Sequence, residues 1–277
     1  DNYKNTICIR WDIVLQPNKY NELKAGFIGK YHTIDRFYIS APYYDDHILD
    51  DYKINPYEAG AYIQDKINFS TIILNAGLRF DMHAPNTEYW ENPYNVQDSA
   101  ATKKSSEIHT QISPRLGISY PITDKTVFHF GYGHYFQKPD YQYIYKSLVT
   151  YSRDTAAVSN GALYDADNDG DIDYADNMLI NLKSGNGRFG DPNLKPERTI
   201  TYEFGISQQL FDDYVLDVTV YSKQITNLLG ARTHFAGERP EYWASFSMHI
   251  NEDFAYNNGF EVQLQKRRGR HLTGEIN

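Results

Sequence analysis

Thr199-Ile200-Thr201-Tyr202-Glu203-Phe204-Gly205-Ile206-Ser207-Gln208-Gln209-Leu210 sets Ile200, Tyr202, Phe204, Ile206 and Leu210 on one side of an extended chain. Thr199, Thr201, Glu203, Gly205, Ser207 and Gln209 fall on the other, with Gln208 the single exception. Successive side chains of a strand point to opposite faces, so a period of two predicts a β-strand with one oily and one wet face. After a break at Phe211-Asp212-Asp213-Tyr214 the pattern resumes, Leu216, Val218 and Val220 alternating with Asp217, Thr219 and Tyr221. The pair reads as a hairpin.

The same alternation recurs in both directions along the chain. It runs through Leu23, Ala25, Phe27 and Tyr31; through Tyr57, Ala59, Ala61 and Ile63; and through Ile72, Leu74, Ala76, Leu78 and Phe80. Leu116, Ile118 and Tyr120 follow, then Phe128, Phe130, Tyr132 and Phe136, then Phe260, Val262 and Leu264, with a last strand expected to begin at Leu272. The expectation is about nine strands of about ten residues, the length a tilted strand needs to cross a bilayer. The connections between them alternate in length. They are brief near Asn68 to Ser70, at Thr123-Asp124-Lys125, at Asp212-Asp213 and at Arg268-Gly269-Arg270, and long at 33–55, 82–112, 138–195 and 230–257. Connections above about 15 residues are uncommon in compact domains. Outer-membrane barrels do place short turns at one rim and long loops at the other.

Composition narrows the classes. The 277 residues carry Lys+Arg 27 against Asp+Glu 36, a net charge of −9, which argues against nucleic acid as a partner because phosphate binding rests on a basic excess. Aromatic residues make up 15% of the chain, with 25 tyrosines, too many large rings for a disordered polar polypeptide. No apolar run approaches the roughly 18 residues of a transmembrane helix. Mean hydropathy is −0.63, which alternating barrel strands also give. The lone thiol, Cys8, excludes an internal disulfide. The amino terminus, Asp1-Asn2-Tyr3-Lys4, has no start methionine, basic segment or apolar segment of a signal peptide, and the last residues stop within a β-like pattern. The chain therefore reads as a piece of something longer.

In a barrel the oily face meets lipid, and Arg79, Arg115, Glu203, Asp217, Lys223, Glu261 and Gln263 point into the lumen. Inverting the faces puts these charges in hydrocarbon at several kcal/mol each. A soluble sheet with a solvated face explains the alternation but not the asymmetry of the loops.

Three segments carry a family resemblance. Gly60-Ala61-Tyr62-Ile63-Gln64-Asp65, then Ser113-Pro114-Arg115-Leu116-Gly117, then Asp191-Pro192-Asn193-Leu194-Lys195-Pro196-Glu197 leading into Tyr202-Glu203-Phe204-Gly205 resemble the barrel of TonB-dependent outer-membrane receptors. The likeness covers nearly the whole chain and is nearest the Bacteroidetes-like branch with a carboxypeptidase-regulatory-like amino-terminal extension. It implies an all-β, antiparallel transmembrane barrel of about 22 strands with long extracellular loops, closed by a plug. Residues 1–277 would supply part of that wall, without the plug domain, the TonB box or the carboxy-terminal strands. It also implies residence in the outer membrane of a Gram-negative-type bacterium, lipid around the wall and a scarce nutrient (siderophore, glycan, peptide or vitamin) as ligand. Energy would come from TonB-ExbB-ExbD through the missing plug, and a surface lipoprotein is a further expected partner. Independently of the family, Pro192 and Pro196 fix φ and remove donors, so strand pairing can begin only after Pro196.

The sharpest local motif is Asp165-Ala166-Asp167-Asn168-Asp169-Gly170-Asp171-Ile172-Asp173-Tyr174-Ala175-Asp176. Counting from Asp165, carboxylates fall at Asp165, Asp167, Asp169, Asp171, Asp173 and Asp176, with Gly170 at the sharp bend, a spacing that wraps oxygen ligands around Ca²⁺. The last position holds Asp where Glu is usual, which shortens the bidentate arm. The expected role is structural, holding a loop in one shape. Gly185-Asn186-Gly187-Arg188-Phe189-Gly190 spells a dinucleotide-binding pattern, but Asp191-Pro192 stands where a helix should open. His129 and His134 share a strand on opposite faces, a poor arrangement for co-ligands. Lys266-Arg267-Arg268-Gly269-Arg270 reads as a solvated hairpin tip. Tyr31, Tyr57, Tyr120, Tyr132 and Phe136 suit a membrane-interface girdle. Tyr89, Trp90, Tyr141, Tyr143, Tyr145, Tyr242 and Trp243 suit either loop packing or stacking on a ring-bearing ligand. No G-x-S-x-G, H-E-x-x-H or Cys-His arrangement is present, so the expectation is a transporter and not an enzyme. The alternative from another class is a soluble or surface-attached, calcium-stabilised β-rich carbohydrate-binding module.

Overall fold

The structure, a computed structural model, describes residues 2–40, 48–90, 103–146, 188–211, 213–235, 245–266 and 274–276. Its strands are β1 (Tyr3–Leu15), β2 (Asn21–Ser40), β3 (Ile48–Ile54), β4 (Tyr57–Phe69), β5 (Ile72–Ala84), β6 (Glu88–Trp90) and β7 (Lys103–Ser105). They continue with β8 (His109–Thr123), β9 (Thr126–Gln137), β10 (Arg188–Phe189), β11 (Glu197–Leu210), β12 (Tyr214–Phe235), β13 (Ser245–Lys266) and β14 (Gly274–Ile276). One short helix, α1 (Tyr141–Tyr145), follows β9.

Twelve strands form a single sheet whose wall runs β1-β2-β4-β5-β8-β9-β11-β12-β13-β14, every neighbouring pair antiparallel. Each wall strand thus pairs with the next one along the chain. The hairpin β6-β7 stands apart, and β3 extends the sheet beside the outer half of β2. The sheet is open, with β1 at one edge.

Register turns the alternation of each strand into continuous stripes. Leu74, Ile118, Phe130, Phe204, Val220 and Phe260 form one lateral row, each residue directly opposite the next. Asn75, Gly117, Gly131, Glu203, Tyr221 and Gly259 form the adjacent row on the other face. A one-residue slip would exchange the stripes, so the oily stripe itself fixes the register. No layer covers that stripe among the described residues: Phe204 is 48% exposed, Ile63 55% and Phe260 72%. Rings meet across it, Phe128 on Phe204 at 4.6 Å and Tyr132 on Tyr202 at 5.1 Å between centroids.

On the polar face long side chains lie flat along the wall, which requires bare backbone beneath them. Tyr62 of β4 crosses Gly26 of β2 to donate its hydroxyl to Asp12 Oδ1 of β1 at 2.8 Å. A Cβ on Gly26 would sit 2.6 Å from the Tyr62 ring and 2.5 Å from Asp12. The first of the three resembling segments is therefore a brace across three strands, and its Asp65 accepts from Asn21 Nδ2 at 2.7 Å.

The strand reading is corrected in two ways. β1 is an additional wall strand that the hydropathy alternation does not pick out. Its Ile7, Ile9 and Trp11 are exposed on the oily side, but Cys8 and Val14 dilute the wet side. The long connections are also more ordered than their composition suggests. β2 runs on to Ser40 within the segment 33–55 and pairs with β3, while β12 runs on to Phe235 and β13 starts at Ser245, still paired. Beyond the bilayer, strands need no oily side, so pairing outlasts the period-two signal. A bulge at Ile225/Leu228 and Leu228/Leu229, with Asn227 at φ 60°, marks where the period breaks. The asymmetry itself holds. Steps are brief between Leu15 and Asn21, Phe69 and Ile72, Thr123 and Thr126, and Leu210 and Tyr214, all at one rim. The last strand is described from Gly274; Leu272 lies outside the described residues.

Phe204→Arg in the full-length receptor should cost roughly 2–4 kcal/mol of stability in lipid, because the cation enters hydrocarbon. Glu203→Gln, one residue away on the polar face, should leave stability within about 0.5 kcal/mol. Urea titration in bilayers measures both, and equal effects would refute the assignment of faces.

Candidate ligand-facing site at the long-loop rim

The principal apolar core lies at the long-loop rim, on the polar side of the wall. Ile34 of β2, Tyr52 and Ile54 of β3, and Tyr141, Ile144 and Tyr145 of α1 bury one another, Ile144 and Tyr145 completely. Tyr141, Ile144 and Tyr145 stand at i, i+3 and i+4, one face of a helical turn. Pro139-Asp140 precedes the turn, Tyr143 N–H donating to the Asp140 carbonyl at 2.9 Å. Because β9 is four wall positions from β2, α1 reaches back across β8, β5 and β4 as a strut over the polar face.

Polar contacts hold the strut. Glu58 Oε1 of β4 accepts from Lys138 Nζ at 2.8 Å and from the Tyr141 hydroxyl at 2.8 Å, and His32 Nε2 lies 3.2 Å away. Lys138 also caps the Tyr141 ring, 3.6 Å from its centroid. Burial lowers the pKa of the Lys138 ammonium, and the Glu58 carboxylate opposes that pull. Burial, then the charge of Glu58, pushes the Tyr141 phenol well above its ordinary range, so it remains a donor. Burial does the same to Tyr145, whose hydroxyl donates to the Pro85 carbonyl at 2.5 Å. Beside the strut a groove opens, lined by Lys30, Glu58, Arg79, Asp81, His83 and Lys138 among others. Arg79 and Asp81 are paired within it at 2.7 Å.

The returning chain locks the strut from above. Gly190 N–H donates to the Lys146 carbonyl at 2.8 Å and Asp191 N–H to the Tyr143 carbonyl at 3.0 Å. A Cβ on Gly190 would lie 2.6 Å from the Ile144 carbonyl oxygen, so glycine is required by close approach. Phe189, Pro192 and Leu194 are buried. Burial raises the Asp191 carboxyl pKa, against the hydrogen bond it accepts from Asn193 N–H at 2.8 Å. Asn193 Oδ1 accepts from Glu107 N–H, and Asn251 both accepts from Lys195 N–H and donates to its carbonyl. Pairing of β11 starts at Glu197, one residue after Pro196, so the proline-bounded segment is a clasp at the mouth of the strand.

The remaining sequence candidates sort as follows. Asp165, Asp167, Asp169, Asp171, Asp173 and Asp176 lie outside the described residues, as do Gly185, Gly187, Tyr242, Trp243 and residues 267–270. His129 and His134 fall on opposite faces. His129 lies 3.3 Å from Thr219 Oγ1, while His134 bonds the Tyr132 hydroxyl at 2.6 Å and accepts from Arg198 at 3.0 Å. Tyr141 and Tyr145 are core residues and Tyr143 packs on His249, so loop packing, not ligand stacking, accounts for them. Glu58, Lys138 and His83 had no motif to announce them, since only register and the strut bring them together.

An open antiparallel wall with an uncovered oily face, a braced polar face and one elaborated rim defines part of a transmembrane β-barrel. Residues 9–274 match the family described as TonB dependent receptor-like, beta-barrel, and the chain belongs to that family. Its members reside in the Gram-negative outer membrane, which makes the oily face the lipid surface, the polar face the lumen and the long-loop rim extracellular. No curated protein matches the chain. Among solved structures it is similar to a mutant of the ferric enterobactin receptor PfeA of Pseudomonas aeruginosa, at 14% identity and a TM-score of 0.60, covering 95% of this chain and 33% of that one. It is also similar to the FrpB iron transporter of Neisseria meningitidis (F3-3 variant), at 12% identity and 0.54, covering 97% and 34%. A further likeness is to the Serratia marcescens hemophore receptor HasR, a double mutant in complex with its hemophore HasA and heme, at 14% and 0.53, covering 96% and 39%. The chain thus spans about a third of the length of the solved receptors it resembles.

Glu58→Gln should free the strut, because a half-buried Lys138 then faces a neutral amide. Loss of one charge-assisted contact, about 1.4 kcal/mol, corresponds to roughly tenfold faster amide exchange in peptides covering Tyr143 and Gly190–Asp191. Unchanged exchange there would show that Glu58 does not hold α1.

Proposed function

We propose that this chain is part of the wall of an outer-membrane receptor that imports a scarce nutrient with energy from TonB-ExbB-ExbD. The observation that carries the reading is the uncovered oily stripe, continuous from β1 to β13 and backed by a charged, braced lumenal face. A soluble or surface-attached carbohydrate-binding module would leave that stripe in water, where an exposed apolar area of such size is a liability. The plug and TonB box belong, in this reading, to parts of the receptor outside the chain, and a surface lipoprotein is a further partner. The nutrient is a siderophore, glycan, peptide or vitamin; receptors for iron, ferric enterobactin and heme-loaded hemophore share the fold. The chain acts as a receptor and not as an enzyme, in keeping with a family of receptors.

The aspartate-rich segment supports a second, separable element of the proposal. Six carboxylates at Asp165, Asp167, Asp169, Asp171, Asp173 and Asp176, with Gly170 at the bend, have the spacing of a single Ca²⁺ loop. Calcium there would be structural, relieving repulsion among crowded charges.

Deleting the receptor should abolish energy-dependent uptake of one member of a panel of ferric siderophores, haem, oligosaccharides, peptides and cobalamin, and a protonophore should reproduce the loss. Unchanged uptake across the panel, or full-length protein whose SDS mobility does not change on boiling, would contradict the transport reading.

Calcium titration of the full-length receptor should release or absorb heat that Asp169→Asn reduces at least tenfold in affinity. Absence of chelator-sensitive heat would remove the calcium element and leave the transport reading intact.

A further inference from the structure

His83 and His109 occupy directly opposite positions on the neighbouring antiparallel strands β5 and β8. Residues so placed share a face, with Cβ atoms about 4.5–5.5 Å apart. Both are at the extracellular ends of their strands, on the lumenal side, and His83 lines the groove beside the strut. His83 is fully buried and His109 is 9% exposed. Three of their four ring nitrogens are buried with no hydrogen-bond partner: His83 Nδ1, His83 Nε2 and His109 Nε2. His32 on β2, also at this rim, behaves differently, since it is partnered on both nitrogens by Thr6 and Glu58.

Buried polar atoms are almost always satisfied, and each orphaned one costs about 1–3 kcal/mol. Two adjacent orphaned imidazoles are therefore costly unless something partners their ring nitrogens. A proton on either ring would add a fourth cation to a groove in which Lys30, Arg79 and Lys138 already outnumber Glu58 and Asp81. A metal ion takes one nitrogen of each ring without adding a proton, because neutral imidazoles on facing strand positions can converge on one ion at nitrogen distances of about 2.0–2.1 Å.

We propose that His83 and His109 form a two-imidazole site for a divalent transition metal of the zinc, copper or nickel type at the lumenal rim. Imidazole suits these ions, whereas calcium and magnesium prefer oxygen. Two protein ligands leave coordination positions open toward the groove, where water completes the shell.

The test uses full-length receptor in detergent. Cu²⁺ added in equimolar amount should give an electron paramagnetic resonance spectrum with hyperfine structure from two nitrogens. Zn²⁺ titration should show one site whose affinity falls at least tenfold in His83→Gln and in His109→Gln, with heat-modifiable mobility retained. A readout free of variants accompanies it: Zn²⁺ should slow amide exchange in wild-type peptides covering residues 82–85 and 108–110, and a chelator should reverse the effect. Copper or zinc binding undiminished in the double variant, or no zinc-dependent protection of those two segments, overturns the proposal.

Discussion

In hydrocarbon no water is available to satisfy a backbone amide or carbonyl, and each one left alone costs several kcal/mol. The wall follows from that constraint. Every wall strand from β2 to β13 gives hydrogen bonds to both sides, to the wall strand before it and the one after it. Once lateral pairing is compulsory, register decides everything else, and the oily stripe decides register. The row from Leu74 to Phe260 is continuous because any slip would place Arg79, Glu203 or Lys223 in lipid. Stability is thus enforced from outside, by the membrane, more than from an interior core of the usual kind.

That arrangement leaves the lumenal face free of any packing duty, and a different chemistry holds it in shape. Side chains there cannot stack against a second layer of this chain, so they lie down along the wall and bond to neighbouring strands. Tyr62 over Gly26 and Tyr221 over Gly259 show the cost of this solution, namely that the strand beneath must give up its Cβ. Among the described residues, a conventional core appears only at the extracellular rim. There α1 brings apolar rings from β9 across to β2 and β3, and Glu58 holds the strut by a charge-assisted contact that burial strengthens. The clasp from Gly190 to Pro196 then ties the strut to Glu107, just before β8, and to β13.

How much of this can be read from the chain alone depends on which force shapes each part. The period of two is legible wherever lipid demands it, so Ile72 to Phe80, Phe128 to Tyr132 and Thr199 to Leu210 announce their strands without ambiguity. It fades in β1, where Cys8 and Val14 blur the wet face, and ends at the Ile225–Leu229 bulge, although β12 continues to Phe235. Above the bilayer a strand needs only a partner, and partnership leaves no trace in hydropathy. α1 carries a signal, Pro139-Asp140 followed by apolar residues at i, i+3 and i+4, but a helical turn of five residues is easily mistaken for loop. The proline clasp was readable because proline acts through local geometry. The association of Glu58, His83, His109 and Lys138 was not, since it rests on register between strands far apart in sequence.

The distribution of sequence constraint explains a further fact. Identities of 12–15% accompany TM-scores of 0.53–0.60 across receptors for quite different cargo. Lipid reads side chains only as apolar or not, so a wall can exchange Phe for Val or Ile at nearly every outward position without moving a strand. Lumenal braces are stricter, because a tyrosine that crosses a neighbouring strand needs glycine below it and an acceptor beyond. The rim is stricter still, since α1, its carboxylate and its clasp must change together or not at all. Specific side-chain contacts in this wall therefore concentrate where the membrane ends, in the few layers of residues between the last lipid-facing ring and the loops. In this chain those layers contain the strut, the groove beside it and the paired histidines.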